Sequence, residues 1–340
     1  RERMMPPPGA EELGNRPGEF EIIEEIFAPL AAKAPGAYGL KDDAALFQPS
    51  PGCETVLTVD AMISGVHFMP ADPPESIAKK LLRVNLSDLA AKGAEARGYL
   101  LVTAWPPEIE IAWIRRFAEG LAADQAEFGV SLWGGDTVRT PGPMTLSLTA
   151  IGEVPEGEAI RRGGAKRGDG IYVTGTLGDA ALGLKLLQGE LEGLAEEHAS
   201  FLAARYREPS PRLGFGRLLP GIAHAALDVS DGLMADLGHI CSASGTGARI
   251  ELERLPLSPA GRAALAIRPE WAELPAICGD DYEILFTAAP GSAGRIEAVA
   301  AETGVQATRI GTLTRAGEGV SAVDAGGSAI PLKQLGYRHF

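Results

Sequence analysis

Six groups of aspartates carry the chemical signal of this chain: Asp42-Asp43, Asp60, Asp88, Asp136, Asp228 with Asp231, and Asp280-Asp281. Asp60 closes the run Leu57-Thr58-Val59, Asp136 follows Leu132-Trp133-Gly134-Gly135, Asp228 and Asp231 flank Val229-Ser230, and Gly279-Asp280-Asp281 precedes an apolar run. Asp88 stands apart, three residues after Asn85 on one face of a helix. Carboxylates at strand ends suit Mg²⁺, a hard cation that takes oxygen ligands and keeps waters and substrate phosphates in its shell. The ordinary use of any single Asp is a turn or a helix N-cap. Six groups in one acidic chain favour a shared cation site, if the fold brings them together.

The common nucleotide machinery is missing. Gly-Lys occurs nowhere, so there is no Walker loop, and neither His-Arg-Asp nor Asp-Phe-Gly is present. Gly175-Thr176-Leu177-Gly178 follows a strand and opens a helix. Its amides suit a phosphate, and the same residues equally make a tight strand-to-helix turn. Arg161 and Arg162 precede Gly163-Gly164-Ala165-Lys166, either a phosphate clamp or a solvated linker. His67, seven residues after Asp60, is a substrate contact or a structural histidine.

The elements that must hold these groups follow from periodicity. Phe20, Ile22, Ile23, Ile26 and Phe27 predict an amphipathic helix, and Ile77, Leu81, Leu82, Leu86 and Leu89 a second over 76–93. A third spans Ile111 to Phe128, stopped by Gly129. Strands are expected over 55–60, 99–104, 130–133, 144–151, 171–174, 225–229, 249–252, 283–287 and 308–313, with a helix from Asp179. The mixture, without strict alternation, predicts an α+β protein of two mixed domains. We place a disordered tail at 1–17, an N-terminal domain at 18–152 and a C-terminal domain at 153–340.

Composition narrows the function classes. With 340 residues, 45% hydrophobic and 22% charged, the chain is long enough for two cores. Its 43 Gly and 25 Pro argue against a coiled coil or helical bundle. A net charge of −14 excludes a general nucleic-acid binder and a polybasic membrane anchor. No apolar run reaches 18 residues and no signal-peptide core begins the chain. Cys53, Cys241 and Cys278 are odd in number and widely spaced, which fits a reducing, cytoplasmic setting.

Read in order, the motifs are Leu40-Lys41-Asp42-Asp43-Ala44-Ala45-Leu46, then Thr58-Val59-Asp60 with Gly65-Val66-His67-Phe68. Val84-Asn85-Leu86-Ser87-Asp88-Leu89-Ala90-Ala91-Lys92-Gly93-Ala94 follows, then Gly134-Gly135-Asp136-Thr137, Asp228-Val229-Ser230-Asp231-Gly232-Leu233 and Gly279-Asp280-Asp281-Tyr282-Glu283. The series resembles the thiamine-monophosphate kinase family, within the aminoimidazole-ribonucleotide-synthetase-like superfamily, and covers residues 18–340. The resemblance implies homodimers whose N-terminal sheets pair into a barrel, and a C-terminal domain of sheet covered by helices. It implies ATP-dependent phosphorylation of thiamine monophosphate to thiamine diphosphate with several Mg²⁺. Position by position, Asp43, Asp60, Asp88, Asp136, Asp228 and Asp231 match the family's metal ligands, and Thr58 and Val59 fall at further metal contacts. Gly135, Asp136, Arg162 and Ser230 match nucleotide positions. His67, Asp280 and Tyr337 match the thiamine-phosphate site. Three positions depart from the family pattern: Lys41 replaces a usual glycine, Val59 a frequent hydroxyl residue, and Asp280 a common Glu.

The chemistry accords with these residue types. A phosphate monoester has its second pKa near about 6, so the acceptor oxygen is already anionic and needs no general base. The obstacle is repulsion: two charges about 4 Å apart cost roughly 1 kcal/mol in water and about 4 at an effective dielectric of 20. Several cations held by carboxylates offset it, and direct in-line transfer becomes a matter of positioning. Two other readings remain at this stage: another superfamily synthetase with a different small acceptor, and a non-catalytic nucleotide- or Mg²⁺-binding sensor. A selenophosphate synthetase would need a reactive Cys near its start, and none precedes Cys53.

Overall fold

The computed structural model describes residues 18–332 and Gly336; the expected tail at 1–17 and Tyr337 lie outside the described residues. The N-terminal part begins with a short helix α1 (Glu19–Ile22), which runs on as a wider turn over Ile23–Phe27 and a tighter one over Ala28–Ala31 in place of the regular amphipathic helix expected there. It continues through β1 (Cys53–Ile63), α2 (Pro74–Ala91), β2 (Glu95–Trp105), α3 (Ile111–Phe128), β3 (Ser131–Arg139) and β4 (Thr145–Pro155). Strand β4 passes through Gly152, where we expected the domain boundary. The C-terminal part holds β5 (Gly170–Thr174), α4 (Asp179–Leu187), α5 (Glu196–Arg207), α6 (Leu213–Gly216), β6 (Ala223–Asp228) and α7 (Leu233–Ser244). After these come β7 (Gly247–Glu251), α8 (Pro259–Ile267), α9 (Leu274–Ile277), β8 (Ile284–Ala288), α10 (Ala293–Thr303), β9 (Ala307–Thr314), β10 (Val320–Val323) and β11 (Ala329–Ile330). The last two strands escaped the sequence reading because they are short and flanked by Gly.

The first sheet has the order β1-β4-β2-β3, antiparallel except for the parallel β2–β3 pair. Helices α2 and α3 cover one face, where Leu81, Leu86, Phe117, Leu121, Leu146 and Leu148 pack. The other face is open and apolar: Leu57, Val59, Leu100, Val102 and Val138 are all exposed, Leu57 at 65%. Side chains alternate along a strand. Thr58 and Asp60 therefore face α2, and Val59 faces outward, its neighbour Asp60 paired across to Leu148.

The second sheet runs β11-β10-β7-β9-β5-β8-β6 and is mixed, with β10–β7 parallel. Its central strands are buried on both faces. Ile171, Val173, Leu227 and Leu285 pack with Leu233, Leu237 and Ile240 of α7, while Tyr172, Phe286 and Ile284 pack with Phe215, Ile296 and Val299 from the opposite side. This explains why β5 and β8 read as unbroken apolar runs instead of alternating ones.

Helix α2 joins the two halves. It contacts β1, β4 and α3 on one side and α6, β6 and β8 on the other. Almost every residue of it is buried, polar ones included, because it is packed from both sides. Polar bonds at its margins fix the fit. Arg83 donates two bonds of 2.7 Å to Asp124 and one of 3.3 Å to the Pro209 carbonyl. Glu208 accepts from Ser76 and Lys79, Arg207 bonds Asp72 at 2.6 Å, and Lys92 donates to the Ala226 carbonyl at 2.8 Å.

A second anchor lies beneath the C-terminal loops. The fully buried Glu283 carboxylate accepts from Arg205 (3.0 Å), from Arg212 (2.6 and 2.7 Å) and from Thr174 (2.7 Å). Gly175 has φ +58°, and a Cβ there would lie 2.1 Å from Glu283 Oε1, so only glycine fits. Glu283→Gln leaves the two arginines without a counter-charge and should destabilise the protein by about 3 kcal/mol. The midpoint of urea unfolding measures this, and an unchanged midpoint contradicts the assignment.

Candidate active site

A cleft opens where the C-terminal ends of β1 and β6 meet α2. It is lined by Asp60, His67, Lys80, Ser230, Asp231 and Asp280, among others. Asp88 stands behind it on α2, and its Oδ2 accepts the Thr58 hydroxyl at 2.5 Å. Asp60, Asp88 and Asp228 lie close enough to repel one another. Burial, and then Asp88, push the Asp60 carboxyl up to about 6. Burial and the same neighbours hold Asp228 well above the usual range, only partly relieved by the Ser87 hydroxyl. Four of the expected metal positions (Asp60, Asp88, Asp228 and Asp231) thus share one neighbourhood, and Thr58 belongs with them.

Asp43 and Asp136 do not join them within one chain. Both are exposed and line a second recess with Gly134, Gly135, Phe27 and Trp133. The register explains the separation. Asp60, Leu148, Leu101 and Gly135 form one row across the first sheet. Three interstrand spacings along that row are about 14 Å. Asp136 pairs with Val102 and so points to the open face, opposite to Asp60. Val59 also belongs to that face, so its side chain is turned away from the carboxylates.

One wall of the cleft is built from two loops locked together. Asp280 N–H donates to the Ser230 carbonyl, Tyr282 N–H to the Val229 carbonyl and Val229 N–H to the Glu283 carbonyl, all at 2.8–2.9 Å. Gly279 packs so tightly on this seam that a Cβ would sit 1.8 Å from Ser230 O. Asp280 (φ +67°) and Tyr282 (φ +51°) both adopt the left-handed conformation, rare for residues with side chains and concentrated at functional sites. The Tyr282 hydroxyl donates to Asp280 Oδ1 at 3.2 Å. His67 accepts the Ile63 N–H on Nδ1, which puts the proton of the neutral ring on Nε2 as a donor.

Other expectations resolve individually. The amides of Gly178 and Ala180, considered for a phosphate, donate to the buried Asp281 carboxylate at 2.7 and 3.2 Å, so Gly175-Thr176-Leu177-Gly178 is a structural turn. Arg162 is exposed, and its charge is felt at Lys92, which in turn faces Asp228 and Asp88. Its segment lies along β6, with Ala226 N–H bonded to the Arg161 carbonyl. Sequence reasoning missed Lys80, Asp236 and Tyr282. Asp236 accepts the N–H groups of Ser230, Asp231 and Gly232 at 3.0–3.1 Å and so shapes the loop that presents Asp231. Lys80 carried no signal of its own in the sequence, since it is one of three cations on α2 with Lys79 and Arg83.

In the metal-free protein, the unfolded chain releases the Asp60 proton near about pH 4 and the folded chain only near about pH 6. Stability contributed by this site therefore falls as pH rises through that window and is level above it. Asp60→Asn removes the penalty. The variant should gain on the wild type by on the order of 2–3 kcal/mol between pH 4 and pH 7. Thermal melts in EDTA measure the difference, and a gap that does not widen with pH contradicts the mutual repulsion.

Comparison with known proteins places this arrangement. Residues 41–154 match the AIR synthase related protein N-terminal domain and residues 166–324 the corresponding C-terminal domain. The chain is 45% identical to the thiamine-monophosphate kinase of Caulobacter vibrioides, covering 95% of this chain and 91% of that one. It is 39% identical to the thiamine-monophosphate kinase of Escherichia coli strain K12, covering 95% and 98%. Among solved structures, thiamine-monophosphate kinase from Stenotrophomonas maltophilia K279a superposes with a TM-score of 0.78 at 41% identity, covering 86% of this chain and 91% of that one. A structure described as AaThiL complexed with AMPPCP and TMP superposes with a TM-score of 0.76 at 29% identity, covering 96% and 100%. Escherichia coli HypE, a hydrogenase maturation protein, shares the fold at 19% identity and a TM-score of 0.77, covering 94% and 98%. Two mixed domains, the ordered aspartate motifs and identity over nearly the whole length lead to one conclusion: the chain belongs to the thiamine-monophosphate kinase family of AIR synthase related proteins.

Proposed function

We propose that the chain transfers the γ-phosphoryl group of ATP directly to thiamine monophosphate, forming thiamine diphosphate. The observation that carries this reading is the cluster Asp60, Asp88 and Asp228 beside a cleft that also presents His67 and Asp280. The oxygen-only donors and their only partly relieved mutual repulsion fit Mg²⁺. Asp60, Asp88, Asp228, Asp231 and Thr58 would hold ions there. Asp43 and Asp136 would hold another at the second recess, where Gly135, with Arg162 and Ser230 on the cleft side, would take the nucleotide. Bound Mg²⁺ would supply neutralisation of the phosphate charges that oppose the approach of two anions.

The chain's own groups do the rest. His67 Nε2–H donates to the acceptor phosphate, whose ionised oxygen attacks without a general base. The Asp280 carboxylate and the aromatic ring of Tyr337 suit the cationic thiazolium. In this reading residues 18–152 supply nucleotide, metal and dimer contacts, and residues 153–340 complete the site. The open apolar face of the first sheet supports a homodimer in which two such sheets close on each other, because Leu57, Val59, Leu100, Val102 and Val138 would otherwise remain in water. That face also carries Asp136. Three free cysteines and a net charge of −14 accord with a cytoplasmic protein that binds neither nucleic acid nor membrane, and no described helix is long and apolar enough to cross one.

ADP release measured with thiamine monophosphate, with thiamine and with neither tests the reaction. We expect turnover with the phosphate ester alone, and equal turnover with free thiamine overturns the acceptor assignment. Asp60→Asn should keep the fold and lose most turnover. His67→Ala should lower kcat/KM for thiamine monophosphate by about 1.5–3 kcal/mol while leaving the KM for ATP nearly unchanged. Light scattering at micromolar concentration should give twice the chain mass, and a monomer contradicts the paired sheets.

A further inference from the structure

Lys80 is 2% exposed, and a buried ammonium persists only where partners replace its water. Its partners all belong to the cleft. Nζ lies 3.1 Å from Asp280 Oδ2, 3.1 Å from the His67 carbonyl oxygen and 3.9 Å from the centre of the Tyr206 ring. These three come from the 279–282 loop, the connection between β1 and α2, and helix α5. The first two are the loops that carry the side chains assigned above to the acceptor. Lys80 itself sits on α2, eight residues before Asp88, so about 12 Å of helix axis separate it from the carboxylate cluster.

We infer that Lys80 is a positioning residue for the acceptor, a role that rests on the reaction proposed above. It clamps Asp280 and His67 to α2 and so sets their places relative to each other and to Asp88. The 279–282 loop needs such a hold. Asp280 and Tyr282 are both left-handed, and the seam to Val229 and Ser230, with the Asp281 contacts to Gly178, Ala180 and Arg205, ties the loop to the C-terminal part. From α2 it is reached by Lys80 on Asp280 Oδ2 and by a longer Ser87 hydroxyl bond of 3.4 Å to the Tyr282 carbonyl, while Asp280 Oδ1 takes the Tyr282 hydroxyl within the loop. The hold crosses the domain boundary. In the ligand-free cleft Lys80 also balances the Asp280 charge, so a cationic ring must share that carboxylate with a resident cation.

Lys80→Met keeps most of the stem and removes the charge. Amide hydrogen exchange of the full chain without ligands should be at least about tenfold faster at residues 279–282, with α7 unchanged. KM for thiamine monophosphate should rise at least about tenfold and KM for ATP less than about twofold. In an Asp280→Asn background the same substitution should add little further, because Lys80 acts through that carboxylate. If Lys80→Met does not fold, Lys80→Gln, which retains a donor, should show exchange between that of the wild type and that of Asp280→Asn. Unchanged exchange at 279–282, equal rises in both KM values, or effects that simply multiply in the double variant overturn the proposal. A wild-type protein inert toward thiamine monophosphate overturns the proposed reaction instead, and the exchange measurement still decides whether Lys80 holds the loop.

Discussion

Packing three carboxylates together, Asp228 buried and Asp60 and Asp88 half-buried, is the constraint on which the rest of the molecule depends. Asp60, Asp88 and Asp228 arrive from β1, α2 and β6; Asp88 makes Asp60 harder to ionise, and Asp88 and Asp60 do the same to Asp228. Such a cluster separates unless its supports are stiffer than the repulsion is strong. The supports are an eleven-residue strand paired along its full length to β4, a helix buried on both sides, and a strand seated at the edge of a sheet with two covered faces. The stored repulsion makes the place attractive to a hard cation and leaves the protein less stable when none is bound.

The same economy of parts shows in the loops. Asp281 occupies the helix N-terminus that might have cradled a phosphate, Asp236 gathers three amides behind Ser230 and Asp231, and Glu283 neutralises two arginines beneath them. These acids are structural, although each neighbours a residue assigned to the chemistry. Acidity in this chain therefore serves two purposes.

Two recesses near opposite edges of one sheet give the monomer an unfinished look. The cleft holds the acceptor side and most of the acids, while Asp43 and Asp136 sit some three strands away toward the apolar face. A surface of exposed Leu and Val beside a charged recess is unstable as a free face and reasonable as an assembly surface. HypE carries the same fold at low identity, so the scaffold alone does not specify the chemistry, which resides in the particular loops.

Much of this was legible in the residues. Period-3.6 stripes marked α2 and α3, the Gly129 stop is a left-handed cap as its type suggested, and short β-branched runs marked most strands. The ordered Asp motifs pointed to cation and phosphate chemistry because their residue types and positions at element ends are local properties. The pairing register was not local. It placed Gly135 in the row of Asp60 and so turned Asp136 to the opposite face, and it turned Val59 away from the cluster. Nor could composition show that Lys80, one of three cations on α2, would meet a carboxylate two hundred residues later. Local sequence determined which groups exist and which elements carry them. Tertiary packing decided which groups meet, because distance and burial, and hence charge strength, are set by contacts between segments far apart in the chain.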